Sequence, residues 1–371
     1  MEFNPDIVGV SLTMSPTVPF ARTLAMELKQ RNPKLKIIAG GTHATFCAER
    51  LIKSRHFDVV VLHEGEFAFR EVIECFVSGG ELVDVKGVVF RENGMPISTE
   101  IRPPLIELDR LPFPARCLLP EHGIYNRIQI LSSRGCVFNC IYCASSAMNQ
   151  YRWRPRSATN VLSEIECVVS QYSNTFCFAD DNFPVNSRRV VDICSGIITR
   201  GLNVRWSCLS RLEFIKDPHL LEIMARSGCA EIFIGVESGS NRVLKLMHRK
   251  YSAADVKRII KLCSQMGIST TASFIIGSPF ECFDDIRRSF KLAMELDTSN
   301  IAFHIFTPYV GTPAYLSPHK FRIKILFNNP EDYDKNRIPV INTHYLSADQ
   351  IMELYCESFG ISLKKARQSL W

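Results

Sequence analysis

The sequence predicts an α/β chain: a doubly wound, Rossmann-like N-terminal domain followed by a six-stranded (β/α)6 partial TIM barrel. Three observations predict it. Strand-like and helix-like patterns alternate over residues 5–64, the same alternation runs six times over 127–310, and a proline-rich stretch separates the two series. The chain has 371 residues, 46% of them hydrophobic, which is enough to bury a core in each domain.

In order, PDIVGVSLT is a buried strand ending in small polar residues and VPFARTLAMELKQRN an amphipathic helix. KLKIIAGGTHAT gives a strand and a Gly-Gly turn, AERLIKSRH a helix, and FDVVVLHEGE a third strand, so the sheet is parallel. Residues 85–101 form a hairpin turning at Glu92-Asn93-Gly94. Pro103, Pro104, Pro112, Pro114 and Pro120 then mark an extended linker. The expected divisions are therefore 1–84 for the first domain, 85–126 for hairpin and linker, 127–310 for the barrel and 311–371 for a helical extension. Barrel strands fall at RIQILSS, TFCFAD, NVRWSCLS, AEIFIGV, ISTTASFII and NIAFHIFT, with helices between them, and right-handed crossovers make their sheet parallel and curved. The extension ends in the helix LSADQIMELYCESFGISLKKARQS. It is expected to close the barrel mouth, with Tyr309 and Tyr315 where a substrate, or ordinary packing, would meet them.

Composition excludes several classes. The net charge is +6, and the cationic clusters at 152–156, 248–250 and 364–367 read as solvated faces rather than a nucleic-acid surface. No apolar run reaches the ~18 residues of a membrane span, and the N-terminus lacks a signal-peptide pattern, so a cytoplasmic location is expected. There are fourteen cysteines. Those outside one cluster, such as Cys177, Cys208 and Cys263, sit singly in apolar stretches and read as buried, reduced side chains rather than a disulfide framework.

Each barrel strand ends in polar residues: Arg134 and the cysteine loop, then Asp180-Asp181, Ser210-Arg211, Glu237-Ser238, Gly277-Ser278-Pro279 and Thr307-Pro308. In a parallel barrel these six ends meet at the C-terminal mouth, where chemistry resides. The loop SRGCVFNCIYC holds Cys136, Cys140 and Cys143. Structural zinc takes four ligands, and the nearest histidines, His122 and His219, are far away in sequence. An ordinary ferredoxin cluster also takes four, and the next cysteine, Cys167, lies within a helix. Three thiolates on a [4Fe-4S] cluster would leave one iron open to a substrate or cofactor.

The C-x3-C-x2-C spacing, with Tyr142 before the last cysteine and a βα barrel around it, resembles the radical S-adenosylmethionine superfamily. The ordered motifs SRGCVFNCIYC, FADDNF, SRLE, GVESGS and FIIGSPFE are similar to its subgroup with an N-terminal cobalamin (B12)-binding domain. The resemblance implies a [4Fe-4S] cluster on Cys136, Cys140 and Cys143. Its open iron would hold the methionine amino and carboxylate groups of S-adenosylmethionine, and one electron would cleave the sulfonium to a 5′-deoxyadenosyl radical. It further implies that Tyr142 lies by the cofactor, Glu237 bonds the ribose, Asp180 or Asp181 meets the amino group, Arg211 the carboxylate, and Gly277 and Pro279 the adenine. Structural alternatives are that Asp180 caps the next helix, that Arg211 pairs with Glu237 and that Gly277 only turns the chain. Phe280 departs from the family pattern, standing where a second glycine is usual.

In the first domain, Ser11-Leu12-Thr13 and, after 26 intervening residues, Gly40-Gly41 resemble two of the three elements of cobalamin domains. Ser11, Thr13, Gly40, Gly41 and His43 are thus the expected cobalamin contacts. The D-x-H-x-x-G element does not precede Ser11, so a partial domain with an open sheet edge is expected. The leading functional expectation is cobalamin-dependent radical methylation of an unactivated carbon. The alternatives are oxidative cyclisation or rearrangement without methyl transfer, and a non-catalytic Fe–S or S-adenosylmethionine-binding module. Methylthiotransfer to RNA is disfavoured by the lack of a second cysteine triad. Expected partners are a small-molecule substrate (a natural-product, lipid or tetrapyrrole intermediate) and a low-potential electron donor such as flavodoxin or ferredoxin.

Overall fold

The computed structural model describes residues 4–119 and 128–368. Pro120, His122 and residue 127 of the expected linker and first barrel strand lie outside the described residues. In the N-terminal sheet, Ile7–Ser11 (β1), Lys36–Gly40 (β2) and Val59–Val61 (β3) pair in parallel in that order. Helices Val18–Arg31 (α1), Thr42–Phe46 (α2) and Ala48–Lys53 (α3) cover one face, where Val18, Ala21, Leu51 and Ile52 pack on Ile37, Ala39 and Val60. The helix Glu66–Ser78 (α4) covers the other face, with Ala68 and Val72 on Ile38, Val59 and Val61. β2 and β3 are near-continuously buried, as strands covered on both faces are, whereas β1, expected to be buried, is an edge strand that is only partly covered.

The hairpin forms where expected, as Val88–Glu92 (β4) and Met95–Ser98 (β5), turning through Asn93 and Gly94, both at positive φ. It does not belong to the linker, however. β4 pairs antiparallel with β3, so the sheet has order β1-β2-β3-β4-β5, is mixed rather than purely parallel, and extends the first domain past residue 84.

The barrel begins at Ile128–Ile130 (β6). Its short antiparallel pair, Ser133–Arg134 (β7) and Arg154–Pro155 (β8), frames the cysteine loop and Ser145–Met148 (α5). Ala158–Gln171 (α6), Thr175–Phe178 (β9), Ser187–Thr199 (α7), Arg205–Arg211 (β10), Pro218–Arg226 (α8) and Cys229–Glu237 (β11) follow. Asn241–Leu246 (α9), Ala253–Gln265 (α10), Ser269–Ile276 (β12), Phe283–Glu295 (α11) and Asn300–Ile305 (β13) complete the series. The sheet order is β6-β9-β10-β11-β12-β13, parallel throughout. Side-chain caps start the helices: Ser157 for α6, Asn186 for α7, Asp217 for α8, and a Ser252–Asp255 capping box for α10. Under them Phe178 stacks on Phe183 at 4.2 Å, and Trp206 meets both rings edge-on.

After β13 the chain forms Pro313–Leu316 (α12), the short pair Lys324–Ile325 (β14) and Ile341–Asn342 (β15), and Ala348–Gln368 (α13). α13 packs against β13 and α11, covering the open side of the barrel, while residues 305–341 cover its mouth. No helix among the described residues is long and apolar enough to cross a membrane.

The same C-terminal segment ties the domains together. Val310 joins the N-terminal core and Arg22 pairs with the buried Glu331, while from the β7–β8 pair Arg154 and Arg134 reach Glu64 at 2.8 and 2.9 Å. Gly311, at φ 80°, lies against the Phe46 ring, where a Cβ would stand only 2.4 Å away. Gly311→Ala should therefore destabilise the interface by roughly 1–3 kcal/mol. Limited proteolysis should then cut the segment around residue 311 faster than in the unaltered protein.

Candidate active site

The cysteine loop is anchored from below. Ser132 donates from N and Oγ to the Asp180 carboxylate, both at 2.7 Å, and Ser133 Oγ donates to the same group. Arg189 Nη2 donates to the Ser132 carbonyl at 2.5 Å. Asp180 is 1% exposed; burial raises its pKa and these hydrogen bonds oppose the rise. Its oxygens are thus engaged with the loop before the cysteines, and it is not on the wall of the cavity described below. Asp180 is neither the expected cofactor contact nor the cap of α7, a position held by Asn186. Gly135, at φ 85°, lets the chain turn into the loop, since a Cβ would stand 2.1 Å from the Arg152 carbonyl oxygen. Above it, Ser146 Oγ donates to the carbonyls of Cys136 and Phe138, and Ala314 N to that of Ile141.

Cys136, Cys140 and Cys143 line a cavity of about 650 Å³. Alternate residues of the barrel strands point into it: Leu209 and Arg211, Phe233, Gly235 and Glu237, Ser273 and Ile275, and His304 and Phe306. Thr13, Met14, Ser15, Thr42 and His43 of the first domain form the facing wall. Burial pushes the Cys143 thiol up to about 12 and raises that of Cys136, so metal must displace their protons. Arg211 Nη1 lies 3.3 Å from Cys140 Sγ. Its guanidinium sits over the Phe138 ring at 3.5 Å and pairs with Glu213 at 2.7 Å, not with Glu237. Among the described residues no three His, Cys, Asp or Glu side chains converge on a single ion position.

Glu237 ends β11 at φ 68°, an uncommon conformation for a non-glycine residue, beside a register shift against β12. Gly235 leaves room for the Glu237 carboxylate, because a Cβ there would lie 2.5 Å from Oε1. That oxygen accepts from Tyr142 OH at 2.9 Å and Arg249 Nη2 at 2.7 Å, and Arg249 also donates to the tyrosine oxygen. Burial pushes the Tyr142 hydroxyl well above its ordinary pKa. Arg249 lines the cavity wall, and its Nε and Nη1 are buried without a partner among the described residues, so the guanidinium holds donors that the protein leaves unused. Asp181 lies on the same wall and suits an ammonium group. The sequence places Arg249 in a solvated cluster; it is in fact 7% exposed. Its spacing resembles that of an ordinary surface basic run, and only the fold reveals it.

Not every expected residue reaches the cavity. Gly277 and Pro279 are absent from its wall. Gly277, at φ 77°, turns beneath α13, where a Cβ would stand 2.8 Å from Ile351. In the first domain Thr13 and His43 reach the wall, whereas Ser11, Gly40 and Gly41 do not. Gly41, at φ 101°, instead clears the Leu12 backbone, whose carbonyl accepts from His43 N at 2.9 Å. His43 Nδ1 is bonded to Ser15 Oγ at 3.0 Å, and burial, with Arg50 and Arg22 nearby, lowers its pKa to about 4. The imidazole is neutral at pH 7, and with Thr13, Ser15 and Thr42 it offers an uncharged, hydrogen-bonding surface that fits cobalamin. Tyr309 reaches the wall; Tyr315 packs on Tyr333.

Residues 130–293 match the family model of the Radical SAM superfamily, and residues 1–73 that of the B12 binding domain. The chain is 30% identical over 367 residues to an uncharacterized methyltransferase of Pyrococcus horikoshii, covering 96% of this chain and 78% of that protein. It is 27% identical over 319 residues to the anaerobic magnesium-protoporphyrin IX monomethyl ester cyclase of Rubrivivax gelatinosus, covering 82% and 57%. It is 25% identical over 356 residues to the cytidylyl-2-hydroxyethylphosphonate methyltransferase of Streptomyces wedmorensis, covering 84% and 66%. The structure of the radical S-adenosylmethionine methyltransferase TsrM from Kitasatospora setae, with cobalamin and a [4Fe-4S] cluster bound, shares the fold at TM-score 0.76 and 16% identity, over 98% of this chain and 79% of that one.

Replacing Cys136, Cys140 and Cys143 together with alanine should reduce iron and sulfide content after anaerobic reconstitution to background and abolish 5′-deoxyadenosine formation. Arg249→Met should leave iron content intact but weaken S-adenosylmethionine binding by about 1.5–3 kcal/mol, roughly tenfold to a hundredfold, read by equilibrium dialysis.

Proposed function

This chain belongs to the radical S-adenosylmethionine superfamily and carries its B12-binding domain, and from that premise we propose that it transfers a methyl group to an unactivated carbon in a cobalamin-dependent reaction. The observation that carries this reading is the shared cavity. The three thiols and the hydrogen-bonding residues of the first domain line the same space, so groups held by the two domains would face each other across it. The methyltransferase relatives support the same reading.

When bound, the cluster and S-adenosylmethionine supply one-electron cleavage chemistry, and cobalamin supplies a transferable methyl group. Cys136, Cys140 and Cys143 would hold the cluster, with the Arg211 guanidinium 3.3 Å from Cys140 Sγ. Arg249 would meet the cofactor carboxylate and Asp181 its ammonium group. Glu237, fixed by Tyr142 and Arg249, would accept from the ribose hydroxyls. Thr13, Ser15, Thr42 and His43 would hold cobalamin on the opposite wall. Leu209, Phe233, Ile275 and Phe306 add apolar surface to the wall, which limits the access of water to reactive species. A flavodoxin or ferredoxin is the expected electron donor.

Oxidative cyclisation is the second reading, favoured by the cyclase relative. The two readings separate on isotope tracing. Reconstituted protein, cobalamin, reductant and S-adenosylmethionine with a trideuterated methyl group are incubated with candidate tetrapyrrole and phosphonate substrates. Methyl transfer puts the trideuterated group into the product. A substrate altered without the label, together with 5′-deoxyadenosine, would instead establish the second reading.

A further inference from the structure

The cavity has a third wall that neither the cysteine loop nor the first domain supplies. It is built by β13 and the chain that returns to it. Along β13, Ile301, Phe303 and Ile305 are buried in the barrel core, so His304 falls on the opposite face and lines the cavity. The returning chain is fixed to this strand: Ile305 N donates to the Lys335 carbonyl at 2.8 Å, and Lys335 N donates to Tyr309 OH at 3.0 Å. His304 Nδ1 and Asn336 Oδ1 are bonded at 2.8 Å. Lys335 and His304 are thus held side by side on one wall, with the imidazole Nε2 left for another partner.

Among the described residues no carboxylate answers the Lys335 ammonium. It makes no ion pair among the described residues, and Glu237 and Asp334 act on it only through space. Burial lowers the pKa of both Lys335 and His304, so each is held in a site that disfavours its charged form. An unpaired amine in a half-buried, largely apolar wall is costly unless something of opposite charge arrives. An anion in the cavity would favour the protonated forms of both groups and could accept hydrogen bonds from Nζ and Nε2.

We propose that Lys335 and His304 form the receptor for an acidic group of the substrate, a carboxylate or a phosphate, on the wall between β13 and the C-terminal segment. The proposal rests on the preceding reading only in taking this cavity as the reaction chamber. It selects among substrate classes, because a neutral lipid would leave the pair unanswered while an acidic metabolite would be oriented by it. With the anion fixed at this wall, the rest of the substrate extends toward the cysteine loop and the first domain.

The test is competitive trace acetylation, which needs no turnover and therefore fails or succeeds independently of methyl transfer. Anaerobically reconstituted, cobalamin-loaded protein is treated with a trace of acetic anhydride. Labelling of Lys335 is read by mass spectrometry against the exposed Lys34 and Lys320. Inorganic phosphate, benzoate, neutral benzamide and S-adenosylmethionine are added separately. The expected result is several-fold, saturable protection of Lys335 by phosphate or benzoate, none by benzamide, and no change at the reference lysines; which anion protects identifies the acidic group. His304→Gln should weaken that protection, while the result with the unaltered protein carries the test if the variant folds poorly. Labelling that is indifferent to both anions, or equal protection by benzamide, overturns the proposal. Protection by S-adenosylmethionine alone also overturns it, since Lys335 would then belong to the cofactor site.

Discussion

Three thiols must be presented at the mouth of a barrel by a short loop with almost no regular structure, and the buried anchor beneath that loop is the constraint on which the site depends. Asp180, at the end of β9, collects hydrogen bonds from Ser132 and Ser133, so the first two strands of the barrel fix where the loop begins. A carboxylate this deeply buried is tolerable only when fully hydrogen-bonded. The serines meet that requirement, and Arg189 binds the neighbouring carbonyl. The turn at Gly135 and the bonds from Ser146 and Ala314 then leave the loop little freedom. A cluster assembled there would be held by a scaffold that is already in place, which limits the entropy lost on binding.

The second dependency lies across the barrel mouth. Glu237, Tyr142 and Arg249 form a buried polar network on three separate stretches of chain: the end of β11, the cysteine loop and the turn after α9. Glu237 adopts a left-handed conformation to take part, and Gly235 leaves room for it. Networks of this kind are costly when half satisfied, and this one is half satisfied, since two Arg249 nitrogens have no partner among the described residues. Strain and an unmet donor at one spot on a cavity wall are what a ligand-binding site is expected to show.

The sequence was most legible where periodicity speaks. All six barrel strands, the five principal helices between them and the βαβαβ core of the first domain lie where the apolar pattern puts them. The hairpin was found but assigned to the linker, because pattern shows that β4 and β5 pair with each other and not that β4 also pairs with β3. Spacing singled out the three cysteines, and strand-end position Asp181, Arg211 and Glu237; all six line the cavity. Strand-end position failed for Asp180, whose side chain turns to the serines behind the loop, and for Gly277, which lies beneath α13. Arg249, Lys335 and His304 carried no signal of their own: an arginine in a basic run, a lysine in a loop and a histidine in a strand become notable only when the fold brings them to one cavity.

A cluster held by Cys136, Cys140 and Cys143 would keep one corner open to the cavity shared by the two domains. The direct measurement is electron paramagnetic resonance of the reduced, anaerobically reconstituted protein with and without S-adenosylmethionine. The expected result is a cluster signal whose shape changes when S-adenosylmethionine is added, because the cofactor binds an iron that no thiol occupies. A cluster signal indifferent to S-adenosylmethionine would overturn the open corner, since every iron would then be closed by the protein.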